Sequence, residues 1–279
     1  MFTAYLSHNY TMEKLIPYLA VVFIYLAVAT DFWRCAKTPA STRYLKLNTT
    51  MVALGLVIHG WLLYQVIFDH GYHLGLFNVL SAIAWLTVLI YWVADLKHEL
   101  TNLQAFVLPA AAIFALLPAS GATDRIMPAA ESTLFFAHIT IALLAYSLFT
   151  FATLHALLMT IAERSLHNKP TLIKLPSFPP LMVMETLLFR IITVGFILLT
   201  ITLVSGMLFS EQIFNKPMQF NHKTIFSIAS WLIYASLLFG RYRYGWRGNK
   251  AVRWTLAGFA LLLLAYLGSK FVLQVLLGR

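Results

Sequence analysis

The chain has 279 residues, of which 60% are hydrophobic and only 11% charged, and it carries a formal net charge of +10 at pH 7. Several apolar runs reach or approach the ~20 residues that cross a ~30 Å hydrocarbon layer, so the chain reads as an integral membrane protein in contact with the lipid bilayer. Its basic residues gather in short loops between these runs, where they act as topology signals, and nucleic acid is excluded as a partner. Cys35 is the one cysteine, which rules out an internal disulfide framework and any thiolate cluster.

The first apolar run, near residues 15–33, contains Ala27-Val28-Ala29, which resembles a signal-peptidase site. Glu13 offsets Lys14 before the run and four cations follow it, so it is read as a retained span. Further spans are predicted near 47–68, 76–95, 101–119, 132–161, 182–209, 223–240 and 251–275. The fourth is interrupted by Pro109 and Pro118, which a membrane helix tolerates where neighbours satisfy the freed carbonyls. The fold class expected is therefore all-α: a polytopic bundle of about eight transmembrane helices forming a single domain over 1–279. The odd loops hold most of the cations, including Arg34, Lys37, Arg43 and Lys46 in the first and Arg241, Arg243, Arg247, Lys250 and Arg253 in the seventh. Arg125, Lys216 and Lys223 are the cations of the even loops. That asymmetry puts the odd loops in the cytoplasm and both termini on the external, periplasmic side. Leu166 to Pro180, with four prolines, reads as a cytoplasmic linker.

No G-x-S-x-G, H-E-x-x-H or P-loop pattern and no intramembrane carboxylate cluster occurs, so no enzymatic site is expected. The nine histidines carry the remaining chemistry. An imidazole in hydrocarbon is costly unless paired, hydrated or ligated. His59 lies about nine residues, or ~13 Å, inside the second span, and His138 about six residues, or ~9 Å, inside the fifth. Both are measured from the outer side, so their depths match. Two readings are open for these rings: two axial ligands of one heme iron, or hydrogen-bonding glue between helices. His222 opens the seventh span and reads as hydrated. His70 and His73 share a loop and give a weak metal signal. His155 reads as interfacial, and His8, His98 and His167 as solvated. Glu185 and Arg190 are five positions apart, about 140° around a helix, so they do not make the usual i,i+4 pair. Trp85, Trp92, Tyr64, Tyr72 and Tyr91 read mostly as interface belt.

Three blocks resemble the heme-handling membrane proteins of cytochrome c assembly, the CcsA/HemX-like family, and within it the YpjD-type short inner-membrane branch. The longest is METLLFRIITVGFILLTITLVSGMLFSEQIF, Met184 to Phe214, with its acidic residue, arginine, Gly195-Phe196, Thr200 and Ser205-Gly206. It continues into QFNHKTIFSIASWLIYASLLFGRYRYGWRG, where Lys223, Trp231 and Arg241 match the family's lysine, tryptophan and arginine. AHITIALLAYSLF resembles the helix of the family's first external histidine and places it at His138, and GYHLGLFNVLSAIAWL resembles a motif after an early helix, with His59 near a family membrane histidine. The pattern also departs from the family. A tryptophan-rich heme-presenting box is replaced by Met218-Gln219-Phe220-Asn221-His222-Lys223, and Phe239 stands where a second membrane histidine would be.

The resemblance implies a heme-binding or heme-handling protein of the bacterial cytoplasmic (inner) membrane, without synthase activity, whose cofactor is heme. On that reading His138 and His59 ligate the iron, while His222 and Lys223 contact the second face or a propionate. The alternative, from a different class, is an accessory or regulatory subunit of another membrane complex, for example a transporter. It would keep the fold without heme and bind another integral membrane protein. Both share one topology, which reporter fusions check: alkaline phosphatase fused at Arg279 should be active and fused at Gly248 inactive, and the reverse pattern would overturn the assignment.

Overall fold

The computed structural model describes residues 2–35, 42–68, 72–98, 103–120, 133–167, 180–214 and 222–268. All its elements are helices: α1 (Phe2–Cys35), α2 (Thr42–Ile67), α3 (Leu76–His98), α4 (Gln104–Ala115), α5 (Thr133–His167), α6 (Leu181–Phe214), α7 (His222–Tyr244) and α8 (Asn249–Leu263). A short 3-10 turn, Leu117–Ser120, follows α4, and a π turn, Leu264–Gly268, continues α8. The eight helices overlie the eight predicted spans. Most of the predicted linker, the replaced box at 218–221, and His70 lie outside the described residues. Of His8, His98 and His167 only the backbone is described.

Five stretches are long and apolar enough to cross a membrane: Lys46–Ile67, Leu76–Leu96, Thr133–Arg164, Leu181–Leu208 and His222–Tyr244. Leu15–Asp31 and Gln104–Ser120 are shorter apolar helices. Large apolar side chains also stand outward, among them Phe23, Val57, Ile113 and Met182. A soluble bundle would turn such residues inward, whereas lipid solvates them.

The helices form two compact units, residues 1–127 and 128–279. In the first, α2 packs on α1 and α3, and α4 packs on α1 and α3. Ala105, Ala111, Ala112 and Ala115 are buried on α4, small side chains that let backbones approach closely where lipid gives helices no hydrophobic reason to associate. Polar groups add directional ties. The Trp85 indole donates to the Leu56 carbonyl at 2.8 Å and the Trp92 indole to the Thr49 carbonyl at 3.0 Å, one pair seven residues along from the other on both helices. These two tryptophans, expected in the interface belt, instead join α3 to α2. Tyr91 is likewise buried, while Tyr64 is exposed as expected.

In the second unit α5 packs on α6 and α8, and α7 packs on α6 and α8. Phe149 and Tyr234 stack at its centre with ring centroids 4.0 Å apart. Gly258 makes room for that stack, since a Cβ there would lie 2.8 Å from the Tyr234 ring. At one end α7 turns into α8 through Gly245 (φ 65°) and Gly248 (φ 57°), left-handed conformations that glycine adopts without strain. Glu185 of α6 pairs with Arg241 of α7, and its second oxygen accepts the Gly248 amide at 3.3 Å. Arg241 also donates to the Trp246 carbonyl at 3.2 Å and lies over the Phe189 ring at 4.6 Å. The expected absence of a Glu185–Arg190 pair is thus explained by a partner 56 residues away. Arg190 is exposed and has no ion pair among the described residues.

The Glu185 carboxylate is largely buried and Arg241 about a third exposed, so the pair stands between a surface salt bridge and a fully desolvated one. Glu185→Gln should lower unfolding stability by about 2 kcal/mol, with Arg241→Gln costing about the same and the double variant little more. Equilibrium unfolding in mixed micelles checks this, and additive losses would show that the two side chains act separately.

Candidate functional site

The opposite end of the second unit gathers chemistry from all four of its helices. His138 is in the second turn of α5, Ser205 and Gly206 are near the end of α6, Lys223 begins α7 and Tyr266 is in the π turn after α8. The His138 Nδ1 is 2.7 Å from the Ser205 hydroxyl. That hydroxyl is also 2.7 Å from the Ile201 carbonyl on its own helix. Two oxygens at that separation need a proton between them, so Ser205 donates to Ile201 and accepts from His138. The imidazole proton is thereby fixed on Nδ1, and Nε2 carries the lone pair. Phe135 stacks on the ring at 6.4 Å, and a Cβ on Gly206 would come within 3.4 Å of Cε1. Ser205 therefore offers the acceptor, and Gly206 lies beside the ring, where a Cβ would be at ordinary contact distance.

The Lys223 ammonium lies 5.9 Å from the Tyr266 ring centroid. Tyr266 meets Tyr146 edge-on at 5.8 Å, and the Tyr146 hydroxyl donates to the Leu262 carbonyl at 3.3 Å. His222 is exposed on the first turn of α7, as its position predicts. Of the four predicted site residues, the structure brings His138 and Lys223 together at this end, with His222 beside Lys223 in sequence.

His59 belongs to the first unit, where its ring is 1% exposed. Its Nδ1 is 3.4 Å from the Tyr25 hydroxyl and its Nε2 is 2.9 Å from Ser81. Both nitrogens are engaged, and the ring ties α1, α2 and α3. That arrangement matches the hydrogen-bonding alternative raised for it. His155, expected at the interface, is instead fully buried. Its Nε2 donates to the Met184 carbonyl at 2.9 Å, joining α5 to α6 beside the flat face of Phe151. The misplacement has a plain cause, since depth along α5 gave no sign that α6 covers this face. Among the described residues no group of three or more metal-ligating side chains occurs.

A second hydroxyl of α6 repeats the Ser205 device. Thr200 donates to the Phe196 carbonyl at 2.8 Å and accepts the Trp231 indole at 2.9 Å, while Phe196 stacks on Trp231 at 5.4 Å. A Cβ on Gly195 would meet Phe149 at 3.2 Å. Three residues of α6 that carry the family resemblance therefore each contact a matched residue on a neighbouring helix: Glu185 with Arg241, Thr200 with Trp231, and Ser205 with His138.

These helices and spans define a polytopic helical membrane protein, and the sequence matches the cytochrome c assembly protein family over residues 47–277. The chain belongs to the cytochrome c assembly protein family. It is 32% identical over 212 residues to the inner membrane protein YpjD of Escherichia coli strain K12, covering 75% of this chain and 78% of that one. It is 25% identical over 283 residues to the cytochrome c biogenesis protein CcsA of Synechococcus sp. strain RCC307, covering 91% of each. CcsA of Prochlorococcus marinus strain MIT 9301 is 24% identical over 225 residues, 71% of this chain and 72% of that one. No solved structure matches the chain. With its several spans and its inner membrane relatives, this is a multi-pass inner membrane protein.

Proposed function

We propose that the chain handles heme in the bacterial inner membrane, with His138 as the residue that would hold its iron. The observation that carries this reading is the Ser205 contact, which holds the imidazole proton on Nδ1 and the lone pair on Nε2. A histidine that ligates a metal ordinarily donates its other ring N–H to an oxygen in this way, which sets the ring's orientation and raises its basicity. Lys223 adds a cation at the same end, the charge that a propionate carboxylate pairs with. Heme, if bound, would supply an iron that an imidazole nitrogen can ligate. The chain's own part is to hold and orient that group between aromatic side chains. No residue is assigned a catalytic role. His59 on this reading is architectural, because ligation through Nε2 would give up its contact with Ser81.

The full chain, purified in detergent with and without added heme, should show a Soret band. His138→Ala should abolish it, Ser205→Ala should weaken heme binding by about tenfold through the lost acceptor, and Lys223→Gln should weaken it less. His59→Ala should lower stability while its folded fraction keeps the band. A wild-type protein without a Soret band, or a His138→Ala variant that binds as tightly as wild type, would sink the reading.

One observation favours the alternative of a heme-free accessory subunit: the pairs Glu185–Arg241 and Thr200–Trp231 serve packing, which the scaffold needs with or without a cofactor. A stoichiometric integral membrane partner retained in heme-free preparations would support that alternative.

A further inference from the structure

The end of α7, the turn after it and the start of α8 together carry Arg241, Arg243, Arg247, Lys250 and Arg253, five cations within thirteen residues. Arg241 is spent on Glu185. The other four are exposed, and among the described residues none of them is in an ion pair. Lys250 lies over the Trp246 ring at 4.7 Å, a contact that orients the ammonium without neutralising it. Four uncompensated like charges in so short a segment repel one another, and the fold nevertheless presents them from a fixed frame.

The frame is built from contacts already described and two more. The Trp246 amide donates to the Gly240 carbonyl at 3.2 Å, and its ring lies so close over Gly240 that a Cβ there would be 2.4 Å away. Trp254 of α8 meets the same ring at 5.1 Å. With Gly248 tied to Glu185 and the Trp246 carbonyl tied to Arg241, the turn is pinned at two points to the rest of its unit. Exposed Tyr242 and Tyr244 flank the cations. The whole cluster sits at the end of a membrane-crossing helix, which is the level of lipid headgroups whichever side it faces.

We propose that this turn is a binding site for an anionic phospholipid headgroup, whose phosphate is shared by Arg247, Lys250 and Arg253. Charge complementarity selects the occupant: clustered arginine and lysine next to a span attract anionic lipid, and guanidinium groups bind phosphate oxygens in pairs. The interleaved aromatic rings suit the same depth.

The test titrates the full-length protein in mixed micelles with dioleoyl phosphatidylglycerol or dioleoyl phosphatidylcholine and reads bound lipid by native mass spectrometry. Wild type should retain phosphatidylglycerol in preference to phosphatidylcholine. Arg247→Gln/Lys250→Gln/Arg253→Gln should weaken the anionic lipid by on the order of a hundredfold, about fivefold for each cation removed, and leave phosphatidylcholine unchanged. Removing loop charges also disturbs insertion, so Arg247→Lys/Arg253→Lys serves as the charge-keeping variant and should retain most of the preference. Equal retention of the two lipids by wild type would overturn the proposal, as would a triple variant within about twofold of wild type. Displacement of the lipid by millimolar inorganic phosphate would overturn it too, by showing a general anion site.

Discussion

In hydrocarbon, a donor that leaves one helix must find an oxygen on another, and the ordinary carbonyls there are already bonded along their own helix. The second unit meets this constraint in two ways. Tyr146, His155, Ser230 and Tyr234 donate to carbonyls of neighbouring helices, using the lone pair that the helical ladder leaves over. Trp231 and His138 donate to hydroxyls that are themselves bonded to their own backbone. Lipid tails give helices no hydrophobic reason to associate, so these contacts and close packing of small residues supply the specificity. Each is modest, on the order of 1 kcal/mol, and their number matters more than any one of them.

The Ser205 contact has a further role because it decides which nitrogen of His138 bears the proton. A ring held by an acceptor at Nδ1 is oriented before any ligand arrives, so less freedom is lost on binding. His59 shows the opposite case. Its two nitrogens contact groups from two other helices, Tyr25 and Ser81, and the ring closes a unit core. Two histidines of similar predicted depth thus differ in what surrounds them.

Helix number and extent were legible from the sequence, because burial in lipid requires long apolar runs and charge punctuates them. The family was legible too, through the blocks around His138, Ser205 and Trp231 that resemble it. What hydropathy could not show is direction around each helix axis. Trp85 and Trp92 looked like interface residues until α2 was seen to offer Leu56 and Thr49 carbonyls to them. His155 looked superficial for the same reason, and Arg241 looked like a topology signal when it is also the partner of Glu185. In each case the missing information is the identity of the facing helix, which a one-dimensional pattern does not contain.

Thr200 and Ser205 stand five positions apart on α6, which turns them about 140° from each other and separates them by about 7.5 Å along the axis. One therefore engages α7 through Trp231 while the other engages α5 through His138. The helix behaves as an axle gripped on two sides. It cannot roll to let the imidazole swing away without also withdrawing a hydroxyl from the indole, so anything that tugs on one grip loads the other.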